Sequence, residues 1–531
     1  MSSDERRQGP ARRHVLRAGA VAGLAAAGMA AAGAPALAAP VSAGTVPAGP
    51  GRTGTGRPRI EFGGSDAHEA LLGGAYRAAL DNLLDINTVP YDPAEYNQTG
   101  LMTDPPGVFV RAGGGYEQPW TRDASVNSWN AASLLSPDVA RNTLWSVCRR
   151  QDDGGLVVQQ DNQWWDQIIW AIAARSHYLT TGDRAFVTDA YQAALTTLHL
   201  GRERHFNEEY GLFEGPAFMQ DGIAGYPSPP YDPENGSSFV LDHPDTDTLM
   251  CLSTNCLHHA AYLACADMAE AVGDRSAAGQ LRGEAARLRT AIDTRLWRPE
   301  AGSYGYFIHG SGERVGQLET YQEGNGLAFA VLCGVASRSR TRELLRTTHR
   351  QPRGVVNVYP HFSGFDDERP GRHNVIVWPM TVGMWGHAAA VGGRVDLFGQ
   401  AAVDIATLQR PDGHFWEIYN ARTGAVDGGW QNERQWESEP DQTWSATGYL
   451  RLIHQGLFGM RFERDGLRLT PSLPPGWGPV TLRDLPYRNM TLDITLTGSG
   501  NRPVSTTLNG RRTTTIPPTL RGRHQVGVHL A

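Results

Sequence analysis

The chain is poor in cysteine and has no excess of basic charge. Its 531 residues include only five cysteines, with no Cys-x-x-Cys and no His pair at zinc spacing, so the sequence predicts neither a metal site nor a disulfide framework. Acidic residues outnumber basic ones by 55 to 48, whereas binding to nucleic acid relies on basic patches. We therefore expect no nucleic-acid partner, and no cofactor is indicated.

The N-terminus has the three-part pattern of an export signal. Arg12 and Arg13 precede an alanine-rich apolar run over 18–32, which ends in a small-x-small cleavage pattern. This is typical of a twin-arginine signal peptide, predicted over 1–38, so we expect a secreted protein without stable membrane insertion after cleavage. Residues 39–65 are rich in Gly, Pro, Thr and Ser, which predicts a flexible tether.

Apolar residues recur at helical spacing from about residue 66 to 458. No sequence period is visible, so we favour a mainly α fold, a closed toroid of paired helices, over a helical repeat array. After residue 458 short alternating runs predict a small antiparallel β domain over 459–531. The twelve helices are predicted to start near His68, Asp123, Ser136, Trp164, Arg184, Thr246, Asp274, Gly324, Arg338, Trp378, Arg394 and Gln442.

Two segments about three hundred residues apart place carboxylates beside indole rings. The first is Trp120-Thr121-Arg122-Asp123, and the second runs from Phe415 to Asn420, with Trp444 behind it. A sugar offers hydroxyl groups to charged side chains and a weakly apolar ring face to an indole. These segments therefore predict a saccharide site built from long loops, which inside a compact domain usually carry function.

The first segment resembles the Trp-Thr-Arg-Asp-Ser motif of glucoamylases, within the six-hairpin (α/α)6 superfamily of glycoside hydrolases. The resemblance covers the chain from about residue 66 to 515 and implies an (α/α)6 catalytic domain over 66–458. It implies that Arg122 and Asp123, beside Trp120, bind the terminal sugar. The alternative is a buried structural ion pair.

The second segment is similar to the glucoamylase motifs that carry the general base. Glu417-Ile418-Tyr419-Asn420 and Gln442-Thr443-Trp444-Ser445-Ala446 hold the matching positions, which implies that Glu417 activates the attacking water and that Trp444 lines the site. The loop between them is longer than in glucoamylases. Because the related trehalases place a carboxylate in this loop, Glu437 is the reserve candidate.

Two carboxylates compete for the role of general acid. Asp221 lies between an apolar run and a Gly-Ile-Ala-Gly turn, surroundings that could raise its pKa as a proton donor requires. Glu214 follows Leu-Phe much as the glucoamylase acid follows Leu-Trp. We prefer Asp221, and either residue could instead serve only in a turn.

Two further segments carry candidate sugar-binding residues. One resembles the His-Asn-x-x-x-Trp-Pro segment of debranching-type members, and the other resembles the tryptophan-bearing pocket wall of the superfamily. A single His or Trp in a helix is more often a core residue. The candidates are His373, Asn374, Trp378, Trp164, Trp165 and Asp166.

The resemblance implies an exo-acting, anomer-inverting hydrolase of an α-linked oligosaccharide, with Asp221 and Glu417 as the carboxylic acid and carboxylate. Inverting enzymes hold the two carboxyl groups about 6.5–9.5 Å apart to leave room for water. A phosphorylase on the same fold and a non-catalytic saccharide-binding protein remain alternatives. So does a polysaccharide lyase using residues such as His205, Tyr226 and His373.

Overall fold

Paired helices alternate with long loops between residues 66 and 457. The computed structural model describes residues 56–159, 163–232 and 234–531. The predicted signal peptide and the tether as far as residue 55 lie outside this part. The main helices are Asp66–His68, Gly74–Asp81, Pro93–Tyr96, Thr121–Asn127, Ser133–Leu135, Pro137–Trp145, Trp164–Gln167, Ile169–Thr181, Arg184–His205, Leu252–Val272, Arg275–Arg295, Gly324–Leu332, Arg338–Thr347, Pro379–Val391, Val395–Gln409 and Thr443–Arg451.

Four π-helical segments and two 3₁₀ turns complete the helical part. The π segments extend neighbouring helices, and the 3₁₀ turns lie in the long loop after Asp221. These segments are Glu69–Gly73, Asn82–Ile86, Ser128–Ala132 and Leu452–Leu457, followed by Ile223–Gly225 and Val240–Asp242.

The predicted helix starts agree with the structure to within two residues, with one exception. The helix expected from Thr246 begins at Leu252. The residues before it are held elsewhere: the hydroxyl of Thr246 donates to the carbonyl of Val240 at 2.8 Å, and Met250–Cys251 pair as a strand with Phe307–Ile308. Tertiary pairing thus displaces the helix start.

A Gly-Asp pair separates the helices of two hairpins. Gly182 and Gly273 end Ile169–Thr181 and Leu252–Val272 in the left-handed conformation, with φ of 78° and 95°. A glycine adopts that conformation without a Cβ penalty. The following Asp183 accepts a hydrogen bond from the backbone N–H of Phe186 at 2.9 Å and so caps the next helix.

Six helices contact one another in a closed cycle. The order is Thr121–Asn127, Ile169–Thr181, Leu252–Val272, Gly324–Leu332, Pro379–Val391 and Thr443–Arg451, and the last contacts the first. Five more helices each pack on a member of this cycle; they are Gly74–Asp81, Pro137–Trp145, Arg184–His205, Arg275–Arg295 and Val395–Gln409. Their buried faces form one continuous apolar core.

The strand-rich region is a six-stranded sheet that combines both ends of the described chain. Its spatial order is Arg59–Phe62, Val480–Tyr487, Met490–Gly498, Gly522–Leu530, Pro503–Leu508 and Arg511–Arg512. It packs in the same compact unit as the helices.

Two details of the sheet correct the sequence predictions. Met490–Gly498 and Gly522–Leu530 run parallel, so the prediction of a purely antiparallel domain is wrong for this pair. Arg59–Phe62, expected within the tether over 39–65, instead pairs with Val480–Tyr487. Its alternating Ile60 and Phe62 are buried. Two apolar residues next to a segment rich in Gly and Pro are too few to indicate a strand from the sequence.

Short two- to four-residue strands connect the loops between the helices. The pair Ile376–Val377 and Tyr419–Asn420 joins two loops that carry predicted site residues. The remaining strands are Thr88–Pro90, Val108–Val110, Cys148–Arg150, Leu156–Val158, Phe206–Asn207, Leu212–Phe213, Met250–Cys251, Trp297–Arg298, Ser303–Tyr304, Phe307–Ile308, Leu318–Glu319, Gln322–Glu323, Val358–Tyr359, Trp430–Gln431, Arg434–Gln435, Met460–Glu463 and Gly466–Leu469.

All five cysteines are free thiols, and four of them are buried. Within the described ranges, no helix combines the length and the apolar character that crossing a membrane requires.

Candidate active site

A cavity of about 160 Å³ lies where several of the predicted loops meet. Aromatic rings, guanidinium groups and carboxylates share its wall. The lining residues are Tyr116, Trp120, Arg122, Asp123, Met219, Asp221, Arg372, His373, Trp378, Glu417, Gln442 and Trp444. Eight of these twelve were predicted as site residues.

The guanidinium of Arg122 joins three segments at the first turn of helix Thr121–Asn127. Its Nη1 donates to Oε1 of Gln163 at 2.6 Å and lies 3.4 Å from Oδ2 of Asp166. Its Nη2 is 3.3 Å from Oδ2 of Asp221, and its Nε is 3.6 Å from Oδ2 of Asp123. One largely buried cation thus contacts the carboxylate of its own helix, one on helix Trp164–Gln167 and one in the loop at Asp221.

Asp166 holds this cluster in place without lining the cavity. Its side chain is fully buried, and its Oδ1 accepts a hydrogen bond from the backbone N–H of Met219 at 3.0 Å. Met219 has a φ of 60°, a strained conformation for a residue with a side chain. The hydrogen bond therefore fixes the turn that presents Asp221, and Asp166 supports the site without lining the cavity.

Asp221 faces several groups that favour its ionised form. Burial alone would raise the pKa of this carboxyl, but Arg122, His373 and the hydrogen bond from Gln163 outweigh burial and lower it below its ordinary value. The expectation of a raised pKa for Asp221 is therefore wrong. The reason is the charge of Arg122. This residue lies 99 positions from Asp221 in the sequence, and no sequence pattern indicates that the two side chains meet.

Glu417 forms a buried ion pair with Arg372. Its Oε2 accepts from Nη2 of Arg372 at 3.0 Å, and the two side chains are 5% and 10% exposed. Burial raises the pKa of Glu417 above its ordinary value, although Arg372 opposes the shift. The strand pair Ile376–Val377 and Tyr419–Asn420 brings the two loops together.

Aromatic rings form one wall of the cavity. The imidazole of His373 stacks on Trp378 with centroids 5.1 Å apart, and Trp378 meets Trp444 edge-on at 5.8 Å. Burial lowers the pKa of His373 to about 3, so its ring is neutral near pH 7. Its Nε2 lies 3.9 Å from Oδ1 of Asp221, and this wall therefore offers flat rings together with a polar edge.

Besides Asp166, three predicted binding residues do not line the cavity. Trp164 stacks on His205 at 4.3 Å and donates from Nε1 to the carbonyl of Glu214, while Trp165 is fully buried in a separate apolar cluster. The amide of Asn374 bonds the backbone at Phe362 and Pro360, both at 2.9 Å. These side chains contact neighbouring loops and lie outside the cavity wall.

Neither reserve carboxylate lines the cavity. The Oε1 of Glu214 accepts a hydrogen bond from Asn207 at 2.8 Å, beside the strand pair Phe206–Asn207 and Leu212–Phe213. The side chain of Glu437 is exposed, and its backbone carbonyl, rather than its carboxylate, accepts from Arg372 at 3.1 Å. The carboxylates that line the cavity are Asp123, Asp221 and Glu417.

Two of the three residues named for a lyase lie outside the cavity. His205 stacks on Trp164, and the buried hydroxyl of Tyr226 donates to the carbonyl of Gln220 at 2.9 Å. Of the three candidates for proton abstraction, only His373 lines the cavity.

Sequence reasoning missed Tyr116, Met219, Arg372 and Gln442. Arg372 directly precedes the predicted His373, and Gln442 begins the motif that contains Trp444. Both residues could therefore have been proposed from the sequence. Tyr116 follows three glycines, and Gly113 bridges to Gln442. A Cβ on Gly113 would come within 2.4 Å of the carbonyl of Asp441, and this close approach explains why the loop before Tyr116 needs glycine.

This set of groups defines a class of protein. Indole faces beside fixed guanidinium and carboxylate groups suit the apolar faces and hydroxyl groups of a saccharide. The family model of the mannosylglycerate hydrolase MGH1-like glycoside hydrolase domain matches residues 116–445, which include every residue that lines the cavity. The chain belongs to this family, and it is a glycosidase of the six-hairpin superfamily.

Solved structures show the same fold at low sequence identity. A sialidase superposes with a TM-score of 0.63 and 14% identity, covering 86% of this chain and 41% of its own. The GH78 rhamnosidase of Bacillus sp. GL1 superposes with a TM-score of 0.55 and 14% identity. The match covers 90% of this chain and 44% of the rhamnosidase. The chain thus spans less than half the length of these two proteins.

A third structure is matched over nearly its whole length. The GH63 mannosylglycerate hydrolase from Thermus thermophilus, in complex with glucose, superposes with a TM-score of 0.51 and 15% identity. It covers 71% of this chain and 99% of its own. No curated protein matches the chain in sequence.

Replacing Arg372 by methionine is expected to destabilise the protein by about 3–5 kcal/mol, because Glu417 would be left as a buried, unpaired charge. The pKa of Glu417, already raised, would rise further. Since the folded state would then hold its proton more tightly than the unfolded state, the loss should grow as pH rises above the ordinary value of 4.5.

Urea unfolding between pH 4 and pH 8 measures this effect. The matched control is the double variant Arg372→Met with Glu417→Gln, which removes the unpaired charge and should recover much of the stability. Equal losses at all pH values, or no recovery in the double variant, would show that Arg372 does not compensate the charge of Glu417.

Proposed function

We propose that the protein is an exported, exo-acting and anomer-inverting hydrolase of a small α-linked glycoside. Asp221 is the proposed general acid and Glu417 the proposed general base. The observation that carries this proposal is the pair of carboxylates on one small cavity, each in contact with its own arginine.

The proposed architecture is an (α/α)6 toroid with the sheet packed on it. The closed cycle of six contacting helices, with further helices packed on its members, supports this arrangement. Trp120, Trp378 and Gln442 each directly precede a helix of the cycle. Because the N-terminal ends of these helices meet at the cavity, a toroid would place the site at one end of its axis.

The proposed reaction uses the two carboxyl groups on opposite faces of the sugar. Asp221 protonates the glycosidic oxygen as the bond to the anomeric carbon breaks, and Glu417 takes a proton from the water that attacks that carbon. Exposure supports this division of roles. Asp221 is 31% exposed and can follow a departing group toward solvent, whereas Glu417 is 5% exposed and is held by Arg372.

The charges around the cavity favour the opposite proton distribution. The pKa of Asp221 is lowered and that of Glu417 is raised, so a proton shared by the pair favours Glu417 over Asp221. In this proposal, the reaction runs through the minor form in which Asp221 carries the proton. Interacting carboxyl groups titrate as a pair, so the pair sets the pH dependence.

Arg122 and Asp123 are the proposed ligands of the sugar hydroxyls, with Trp120, Trp378 and Trp444 against its ring. A cavity of about 160 Å³ is smaller than the roughly 300–1,000 Å³ of pockets for drug-sized ligands. It suits one sugar unit, which supports exo attack. The mannosylglycerate hydrolase and the rhamnosidase among the similar structures make α-mannosides and α-rhamnosides the first substrates to test.

Hydrolysis of a panel of glycosides tests the proposal. Glu417→Gln is expected to lose about 10²–10⁴-fold in kcat on every substrate, since general base assistance supplies that much. Asp221→Asn should lose as much on alkyl glycosides but far less on dinitrophenyl glycosides, whose leaving group needs no proton. Glu214→Gln and Glu437→Gln serve as controls and should stay near wild type.

Other results of this assay would indicate other functions. Turnover that requires added phosphate would indicate a phosphorylase, and saccharide binding without any turnover would indicate a binding protein. Full activity in Glu417→Gln would contradict the assignment of the base.

The pH profile of kcat/KM tests the roles of the pair. Activity needs one proton on two carboxyl groups, so it should fall below the lowered pKa of Asp221 and above the raised pKa of Glu417. The limbs should lie below 3.8 and above 4.5, the ordinary values of these groups. With a dinitrophenyl glycoside, Asp221→Asn should lose the high-pH limb. A high-pH limb that persists in this variant would contradict Asp221 as the acid.

Export rests on the N-terminal pattern around Arg12 and Arg13. Substituting both by lysine should hold the full chain in the cytoplasm of a host with a twin-arginine system, because that system requires the arginine pair. Cell fractionation with an activity or antibody readout measures this. Unchanged export of the double variant would contradict the twin-arginine route.

A further inference from the structure

A second and larger cavity lies at the other ends of the helices that form the candidate active site. Its volume is about 580 Å³. Trp444, near the start of helix Thr443–Arg451, lines the catalytic cavity, whereas Arg451 at its end lines this one. Seven residues at 1.5 Å each separate them by roughly 10 Å. The two cavities share no lining residue.

Arg451 is a buried cation held by neutral groups. It is 1% exposed, its Nε donates to Nδ1 of His387 at 3.0 Å, and its Nη1 donates to Oδ1 of Asn130 at 2.9 Å. The guanidinium lies 4.0 Å from the ring centroid of Trp129. Among the described residues no carboxylate pairs with it, which is unusual because buried charges are normally paired.

Arg451 and His387 each have an N–H group that could donate to a further acceptor. Nη2 of Arg451 makes no hydrogen bond to any described residue. Since Nδ1 of His387 accepts from Arg451, the proton of its neutral ring sits on Nε2, so His387 is also a donor. Burial lowers the pKa of Arg451 to about 9, and the group is still charged near pH 7.

The surroundings of this cavity are also rich in arginine. Arg175 and Arg461 line its wall, and an adjoining cleft that shares Leu179 is lined by Arg184, Arg464 and Arg488 with no acidic residue. Several of these cations have carboxylate partners: Arg175 pairs with Asp267 at 2.5 Å, Arg461 with Glu463 of the same wall at 3.5 Å, and Arg464 with Glu270 at 3.2 Å. Among the described residues, Arg451 is the arginine of this cavity wall that no carboxylate pairs with.

We propose that the cavity at Arg451 binds a small ligand through an oxyanion group, a carboxylate or a phosphate. The fixed guanidinium edge of Arg451 and the Nε2–H of His387 would donate to its oxygens, as charge-assisted hydrogen bonds to an anion require. Apolar side chains such as Leu332 and Phe462 on the same wall would cover the rest of an organic ligand. This site lies apart from the proposed reaction and does not depend on it.

Thermal unfolding with inorganic phosphate and with glucuronate tests the site, each against chloride at matched ionic strength. A ligand that binds only the folded state raises Tm in a saturable way, and we expect a rise of about 2 °C or more at saturation. The anion that saturates at lower concentration identifies the phosphate or the carboxylate as the preferred group.

Three variants locate the binding. Arg451→Met removes the guanidinium. Ser176→Trp fills the cavity while leaving Arg451 in place. If Arg451→Met does not fold, Ser176→Trp alone shows whether the anion binds in this cavity. Arg122→Met removes the cation of the catalytic cavity. The proposal requires the shift to disappear in Ser176→Trp and in folded Arg451→Met and to persist in Arg122→Met. No saturable shift with either anion, or a shift lost only in Arg122→Met, would overturn it.

Discussion

The contacts of Arg122 hold the catalytic cavity together. Its guanidinium reaches carboxylates at Asp123, Asp166 and Asp221, which come from different parts of the chain. Without this cation, three carboxylates around one small cavity would repel one another, and burial would drive some of them to protonate. A guanidinium stays charged at any physiological pH and bonds in several directions at once. The chain contains no lysine, so every such contact in the protein is made by arginine.

The two carboxyl groups of the site differ because their surroundings differ. Asp221 is partly exposed and faces Arg122, His373 and Gln163, and its pKa is lowered. Glu417 is nearly enclosed with one arginine, and its pKa is raised. Environments that separate the pKa values of two nearby carboxyl groups are a common property of acid–base sites. Under the proposed mechanism, the reactive form is the minor one in which Asp221 carries the proton.

Much of the fold could be predicted from sequence because the helices carry local signals. Apolar spacing and the Gly-Asp pairs at Gly182 and Gly273 mark helix ends without reference to the rest of the chain. The site was predicted where it resembles a family motif, as at Arg122 and Glu417. The prediction failed where long-range packing decides. Trp165 looks like a sugar platform in sequence but is enclosed in an apolar cluster, and the pKa of Asp221 depends on an arginine brought near by the fold.

If Asp221 and Glu417 act from opposite sides of one sugar, the configuration of the first product must differ from that of the substrate. Proton NMR during the first minutes of hydrolysis, before mutarotation, distinguishes the anomers. We expect the wild-type enzyme to release first the anomer opposite to that of its substrate, because water activated by Glu417 attacks directly. Release of the retained anomer would mean that a carboxylate attacks the sugar itself, at the closer spacing of about 5–5.5 Å that retaining enzymes use, and would rule out Glu417 as a base acting on water.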